Sequence, residues 1–235
     1  MHTIPQHWIP SAAEGLSGER AFIRSVYWWM FGGLLLTALA AAWVVFSPAM
    51  QSLIFRTPGL VIGLFVAELV MVLVLSFNVE RLAPATAAGL FLVYSLLNGF
   101  TLSGIALVYA TMEIFQAFAV AAGMFGAMSL YGLVTKKDLT SWGSFLFMGL
   151  VGVLMASIVS VFARHPGFTF AVTLVGVFVF LGLTAWDTQK LKAFAAMIGE
   201  DNAPNYAVVG ALSLYLDFIN IFLMVLRLLG RRERR

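Results

Sequence analysis

An all-α polytopic membrane protein with seven transmembrane helices is the fold class that this sequence predicts, and three observations predict it. Of its 235 residues 61% are hydrophobic and only 11% charged, a balance too apolar for a soluble surface. The apolar residues fall into seven runs of roughly twenty or more, the length that crosses a hydrocarbon core. The breaks between runs are short, which leaves no room for a soluble domain. The chain therefore reads as a polar N-terminal tail (1–20), one transmembrane domain (21–230) and a basic C-terminal tail (231–235).

The tail holds Pro5, Pro10 and Gly15, with Trp8 and Ile9 suited to a membrane-surface contact. A cleaved signal is not expected, because the apolar run that follows is too long for an h-region. The first span, 21–46, is entered by Arg20, Arg24 and the interfacial aromatics Tyr27, Trp28 and Trp29, and Ser47-Pro48 ends it. The second, 59–77, carries Glu68 near its middle; the third and fourth are 85–110 and 114–134. After the polar loop Lys136-Lys-Asp138 comes the fifth, 142–162, and a turn at Arg164-His-Pro-Gly167. The sixth starts at Phe168 and runs into Asp187; the seventh is 206–229. Seven full spans put seven Lys and Arg residues on each side, so the positive-inside rule leaves the sidedness open. Small residues recur at close-packing intervals, Gly99 with Ser103, Gly123 with Gly126 and Gly149 with Gly152, and packing is the role they suggest.

Composition also excludes chemistry. With no cysteine there is no disulfide, thiolate metal site or Cys nucleophile. The three histidines, His2, His7 and His165, fall in the tail or a loop, so no imidazole serves as base or ligand inside the membrane. The net charge of +3 comes largely from Arg231-Arg-Glu-Arg-Arg235, which suits anionic lipid headgroups better than nucleic acid.

What remains is a set of intramembrane acids, each a candidate functional group because of its desolvation cost. Asp217 lies inside the seventh run, with Ser213 and Asn220 on the same helical face; Thr184, Asp187 and Lys190 align on the sixth, and Tyr94, Asn98 and Thr101 on the third. Three stripes imply an interior polar path or network. The sixth and seventh helices are consecutive and antiparallel, so Asp187 and Asp217 descend from one membrane side. The shorter reading of the runs sets them about 6 and 9 Å deep, the longest separates them by roughly 12 Å. Two carboxylates sharing a buried site do not both ionise cheaply and would share one proton. Protonated, the pair closes on a hydrogen bond; doubly ionised, it repels or attracts an oxygen-seeking cation such as Ca²⁺. In the plainer alternative Asp187 pairs with Lys190, and a protonated Asp217 bonds Asn98 or Ser213. Glu68 either binds cations or protons, or is simply hydrogen-bonded in the bundle.

Four ordered segments, Gly123-Met-Phe-Gly-Ala-Met-Ser-Leu-Tyr-Gly132, Thr135-Lys-Lys-Asp-Leu139, Gly182-Leu-Thr-Ala-Trp-Asp-Thr-Gln-Lys-Leu-Lys192 and Gly210-Ala-Leu-Ser-Leu-Tyr-Leu-Asp-Phe-Ile-Asn220, give the chain its resemblance to the Bax-inhibitor (transmembrane Bax inhibitor motif) family, in its bacterial inner-membrane branch. The resemblance implies a seven-helix bundle with the last helix at its centre and a multi-pass protein of the bacterial inner membrane. It also implies a pH-sensitive Ca²⁺ leak gated by the two aspartates that match Asp187 and Asp217, which would be proton sensors and Ca²⁺ ligands. The polar stripes, and not the resemblance, make Glu68, Asn98, Ser213 and Asn220 the candidates for a pore or its network. The family's basic latch residue on the second helix has no counterpart here, where that helix offers Glu68 and, beyond its end, Arg81. Partners on this reading are the lipid bilayer, Ca²⁺ and protons, with no cofactor beyond the ion. The competing class is a non-conducting regulator that binds another membrane protein such as a protease. An enzyme is not expected: neither aspartate sits in the Gly-x-Gly-Asp of presenilin-like proteases, and a rhomboid-like site lacks its histidine.

Overall fold

The computed structural model describes residues 12–197 and 203–230, and among these it contains helices and no strand. The basic tail 231–235 and the first eleven residues of the N-terminal tail lie outside the described residues. Eight α-helices follow in order: α1 (Ala12–Phe46), α2 (Pro48–Arg56), α3 (Leu60–Phe77), α4 (Pro84–Leu102), α5 (Thr111–Val134), α6 (Thr140–Ala163), α7 (Pro166–Ala195) and α8 (Ala203–Leu229). All but α2 are long and apolar enough to span a membrane, and the seven candidate spans fall where the apolar runs place them.

Local differences from the sequence reading have physical causes. Helix α1 starts at Ala12, inside the stretch read as tail. Ala12, Glu14, Leu16, Glu19 and Arg20 are competent helix formers, and extending a nucleated helix is cheap. Ser47-Pro48 does not simply end a span. Ser47 caps a new helix by accepting from the Met50 amide, and Pro48 occupies its first turn, where a missing N–H costs nothing. The third run loses α geometry after Leu102 and tightens into a 3-10 turn, Ser103–Leu107. Arg164 takes a left-handed conformation (φ 48°) to stop α6, and His165 caps α7 through its ring nitrogen.

Helix α8 is the axis of the bundle. In its most apolar window 72% of residues are buried, against 44% or less in the other six spans. Helices α1, α4, α5 and α7 all pack on it, with α3 outside α4 and α6 outside α7. Ring edges lock the two sides of the axis: Phe91 and Tyr94 of α4 meet Tyr215, while Phe118 and Phe125 of α5 meet Phe218. The central position of the last helix, expected from the family resemblance, is thus what the structure has.

Close approach is set by glycines, though not all the expected ones. A Cβ on Gly99 would stand 2.5 Å from the Thr37 carbonyl oxygen, and one on Gly149 3.1 Å from Val179. Gly123, Gly126 and Gly152 face open space. A small residue permits an approach on its own face, but only the neighbours' positions decide whether a helix is there.

Candidate polar centres on the central helix

The polar residues of the expected path or network fall on two sides of α8. Tyr215 and Asp217 are two residues apart, about 200° around a helix, so they face opposite sides of it.

On the first side Tyr215, fully buried, donates to Asn98 Oδ1 (2.9 Å) and lies 2.7 Å from Thr37 Oγ1. Asn98 Nδ2 donates to Glu68 Oε2 (3.2 Å), and Thr101 Oγ1 donates to Glu68 Oε1 (2.6 Å). Both oxygens of Glu68 are therefore engaged, in a chain that ties α1, α3, α4 and α8 together. Glu68 and Asn98 meet as members of one network, and Asn98 is not a partner of Asp217. Asn220 does not join either: its Nδ2 donates to Leu216 O of its own helix at 2.8 Å. Ser213 keeps its place half-buried on the Asp217 face. Thr37 and Tyr215 were missed by sequence reasoning, since a hydroxyl in an apolar run gives no sign of which distant helix will receive it. Tyr215→Phe removes the hydroxyl and leaves Asn98 Oδ1 unpaired in a buried site, which is expected to lower stability by about 1–3 kcal/mol. Thermal unfolding of the detergent-solubilised chain measures this, and an unchanged midpoint would make the network dispensable.

On the second side α7 runs antiparallel to α8, and a contact fixes the register: a Cβ on Gly210 would meet Leu191 at 2.5 Å. Seven residues further along each helix, Asp217 comes opposite Thr184. Asp187 then lies three residues nearer the membrane surface, a stagger of about 4.5 Å along the axis. That stagger falls within the range that the run lengths allow, toward its shorter end. Asp187 is close enough to act electrostatically on Asp217, and Thr184 is the hydroxyl beside it. The Thr184 hydroxyl donates to Phe180 O (2.8 Å), and Asp217 Oδ2 is buried with no hydrogen-bond partner among the described residues. Asp217 is 5% exposed; Asp187 is half-buried and feels the attraction of Lys190, whose Nζ stands 4.9 Å from the Trp186 ring centroid. A buried carboxyl oxygen without a partner costs free energy unless a proton, cation or water supplies what is missing. In this respect Asp217 differs from Glu68.

The rest of the Asp-Thr-Gln motif holds the neighbourhood of Asp187 rigid. Thr188 Oγ1 is 3.2 Å from Ser129 Oγ of α5, and Ser129 in turn meets the Tyr27 hydroxyl of α1. Gln189 spans the loop between α5 and α6, accepting from Leu139 N and donating to Lys137 O, each at 2.8 Å. Lys192 Nζ donates to Leu133 O (2.8 Å) at the end of α5. Among the described residues no group of three or more His, Cys, Asp or Glu side chains is arranged to hold a metal. An ion at Asp187 and Asp217 would take its remaining oxygen ligands from carbonyls, hydroxyls or water.

Comparison with known proteins follows the same lines. The family described as "Inhibitor of apoptosis-promoting Bax1" matches residues 19–234. "Inner membrane protein YbhL" of Escherichia coli K12 is 46% identical over 226 residues, covering 95% of this chain and 97% of the relative. "Uncharacterized protein RP147" of Rickettsia prowazekii is 42% identical over 92% of each chain. An uncharacterized protein of Deinococcus radiodurans is 39% identical over 93% of this chain and 94% of its own.

Proposed function

We propose, because this chain belongs to the Bax-inhibitor family, that it is a pH-sensitive cation leak, passing Ca²⁺ across the bacterial inner membrane under the control of Asp187 and Asp217. The observation that carries the reading is the orphaned Oδ2 of Asp217 at the core of the central helix, with a second carboxyl one turn away. Among the buried acids this is the one with unused coordinating capacity, since both oxygens of Glu68 are occupied within the fold.

The mechanism follows from charge. With one proton shared, the two carboxyls attract, and α7 and α8 hold together. With both ionised at a depth where water is scarce they repel, and either the helices part or a divalent cation enters between them. Acid therefore closes the path and alkali opens it. The motif around Asp187 suits this role, because Thr188, Gln189 and Lys192 tie α7 to α5 and its loop, so that a repulsion between Asp187 and Asp217 acts between α7 and α8.

Ca²⁺ uptake into liposomes holding the purified full-length chain tests the proposal. Flux is expected to rise between about pH 6 and pH 8, by at most about tenfold per unit for a one-proton switch. Flux no greater than that of empty liposomes, with the protein folded, would instead favour a regulator that binds another membrane protein.

A further inference from the structure

Where α5 gives way to α6, three lysines gather around one pocket. Lys136 and Lys137 come from the loop and Lys190 from α7, and with Trp186, Phe194 and Met197 they line a cavity of about 480 Å³. It lies where three spans end together, α5 at Val134, α6 at Thr140 and α7 at Ala195, which is headgroup depth. Trp142 and Tyr131 are exposed on the neighbouring turns of α6 and α5, as interfacial aromatics are.

The pocket is built and not a loose charge run. Gln189 holds the loop from both of its sides, at Lys137 O and Leu139 N. Lys190 lies over the Trp186 ring and also faces Asp187 one turn back. The acid in the lining, Asp138, is occupied: its Oδ1 accepts from Thr140 N at 2.8 Å. Hydrogen bonds from the Thr140 side chain and backbone hold its carboxyl below the usual range. That cap is present above the ordinary carboxyl range and is lost only as pH falls below it, so the pocket does not change its acid between pH 6 and pH 8. Three ammonium groups thus stand against the engaged Asp138 and, behind Lys190, Asp187, beside an apolar wall in which Trp186 lies on the hydrocarbon side.

We propose that this pocket binds the headgroup of an anionic phospholipid, with its phosphate among Lys136, Lys137 and Lys190 and its chains running past Trp186 toward the hydrocarbon. Lysines bind phosphate as point charges, and basic residues near a membrane surface attract anionic lipid additively. A free phosphate would use the same lysines but gain nothing from the apolar wall, and that separates the two sources.

The test titrates the full-length chain in neutral detergent with short-chain phosphatidylglycerol, short-chain phosphatidylcholine and inorganic phosphate, reading bound lipid by native mass spectrometry. Phosphatidylglycerol is expected to bind in preference to the other two. The triple variant Lys136→Gln, Lys137→Gln, Lys190→Gln should weaken it on the order of a hundredfold. Arginine at the same three positions should restore binding, and Arg56→Gln with Arg164→Gln, at the opposite ends of the spans, should leave it unchanged. Equal binding of phosphatidylcholine, inorganic phosphate binding as tightly as the lipid, or a triple variant that keeps its affinity would each overturn the proposal. All three lysines are exposed, so the variants should fold, and the arginine variant reports it directly.

Discussion

Asp217→Asn is expected to flatten the pH profile of Ca²⁺ flux and to hold it near the acid, closed level. An amide is neutral at every pH, cannot repel Asp187, and donates the hydrogen bond that the shared proton otherwise supplies. Wild-type flux changes by at most about tenfold per pH unit, the limit for one proton; the variant should change by less than about twofold over the same range. Asp187→Asn should flatten the profile too, with a residual response from Asp217, whose carboxyl is still ionisable. Liposome flux at several pH values, with folding checked by size exclusion, reads both. An Asp217→Asn protein that keeps the wild-type profile would remove the pair from the gate, whatever it does to stability. Because the substitution keeps shape and removes only charge, it separates gating from packing in a way that alanine would not.

The second large effect concerns packing and needs two substitutions on one helix. Gly132 and Gly123 both lie on α5, so changing each to leucine brings the same gain in helix propensity, about 0.8–1 kcal/mol. A side chain on Gly132 meets the Ala185 carbonyl oxygen of α7 and stands 2.9 Å from Thr188 Cβ, whereas Gly123 has nothing within 4 Å. Gly132→Leu is therefore expected to force α5 from α7 and break the Ser129–Thr188 contact. The loss should reach at least the upper end of the ~1–3 kcal/mol typical of overpacking, or leave no folded protein. Gly123→Leu should be neutral or slightly stabilising, with its side chain in lipid. The difference in thermal midpoint between the two proteins is the measurement. Similar losses at both positions would mean that the open face of Gly123 is covered in the membrane.

The contrast between those glycines marks how far a sequence can be read. The spans were legible because the bilayer imposes them: about twenty apolar residues, interrupted by Pro48, the Lys136–Asp138 loop and Pro166, have few other outcomes. The acids were legible for the same reason, since Glu68, Asp187 and Asp217 are costly in such runs and so announce themselves. What an acid will meet is another matter. Glu68 and Asp217 look alike in sequence, yet one is bound on both oxygens by Asn98 and Thr101 and the other keeps an oxygen free. Asn220, aligned with Asp217 on paper, spends its amide on its own helix. Tyr215 gave no signal and is the hinge of the first polar centre. Likewise α2 hid behind a Pro that looked like a stop, because capping and stopping use the same residues.

By itself, then, the sequence determined that this is a seven-helix membrane protein of the Bax-inhibitor family, which segments cross, and which carboxyls the membrane cannot ignore. Only the tertiary structure decided that α8 divides the polar residues into two centres, that Asp187 sits a turn above Asp217, and that Gln189 clamps the lysine loop into a pocket. The reason is physical. Crossing a bilayer is a local property, settled by length and hydrophobicity along the chain, whereas rotation and register between helices depend on side chains a hundred residues apart meeting in space.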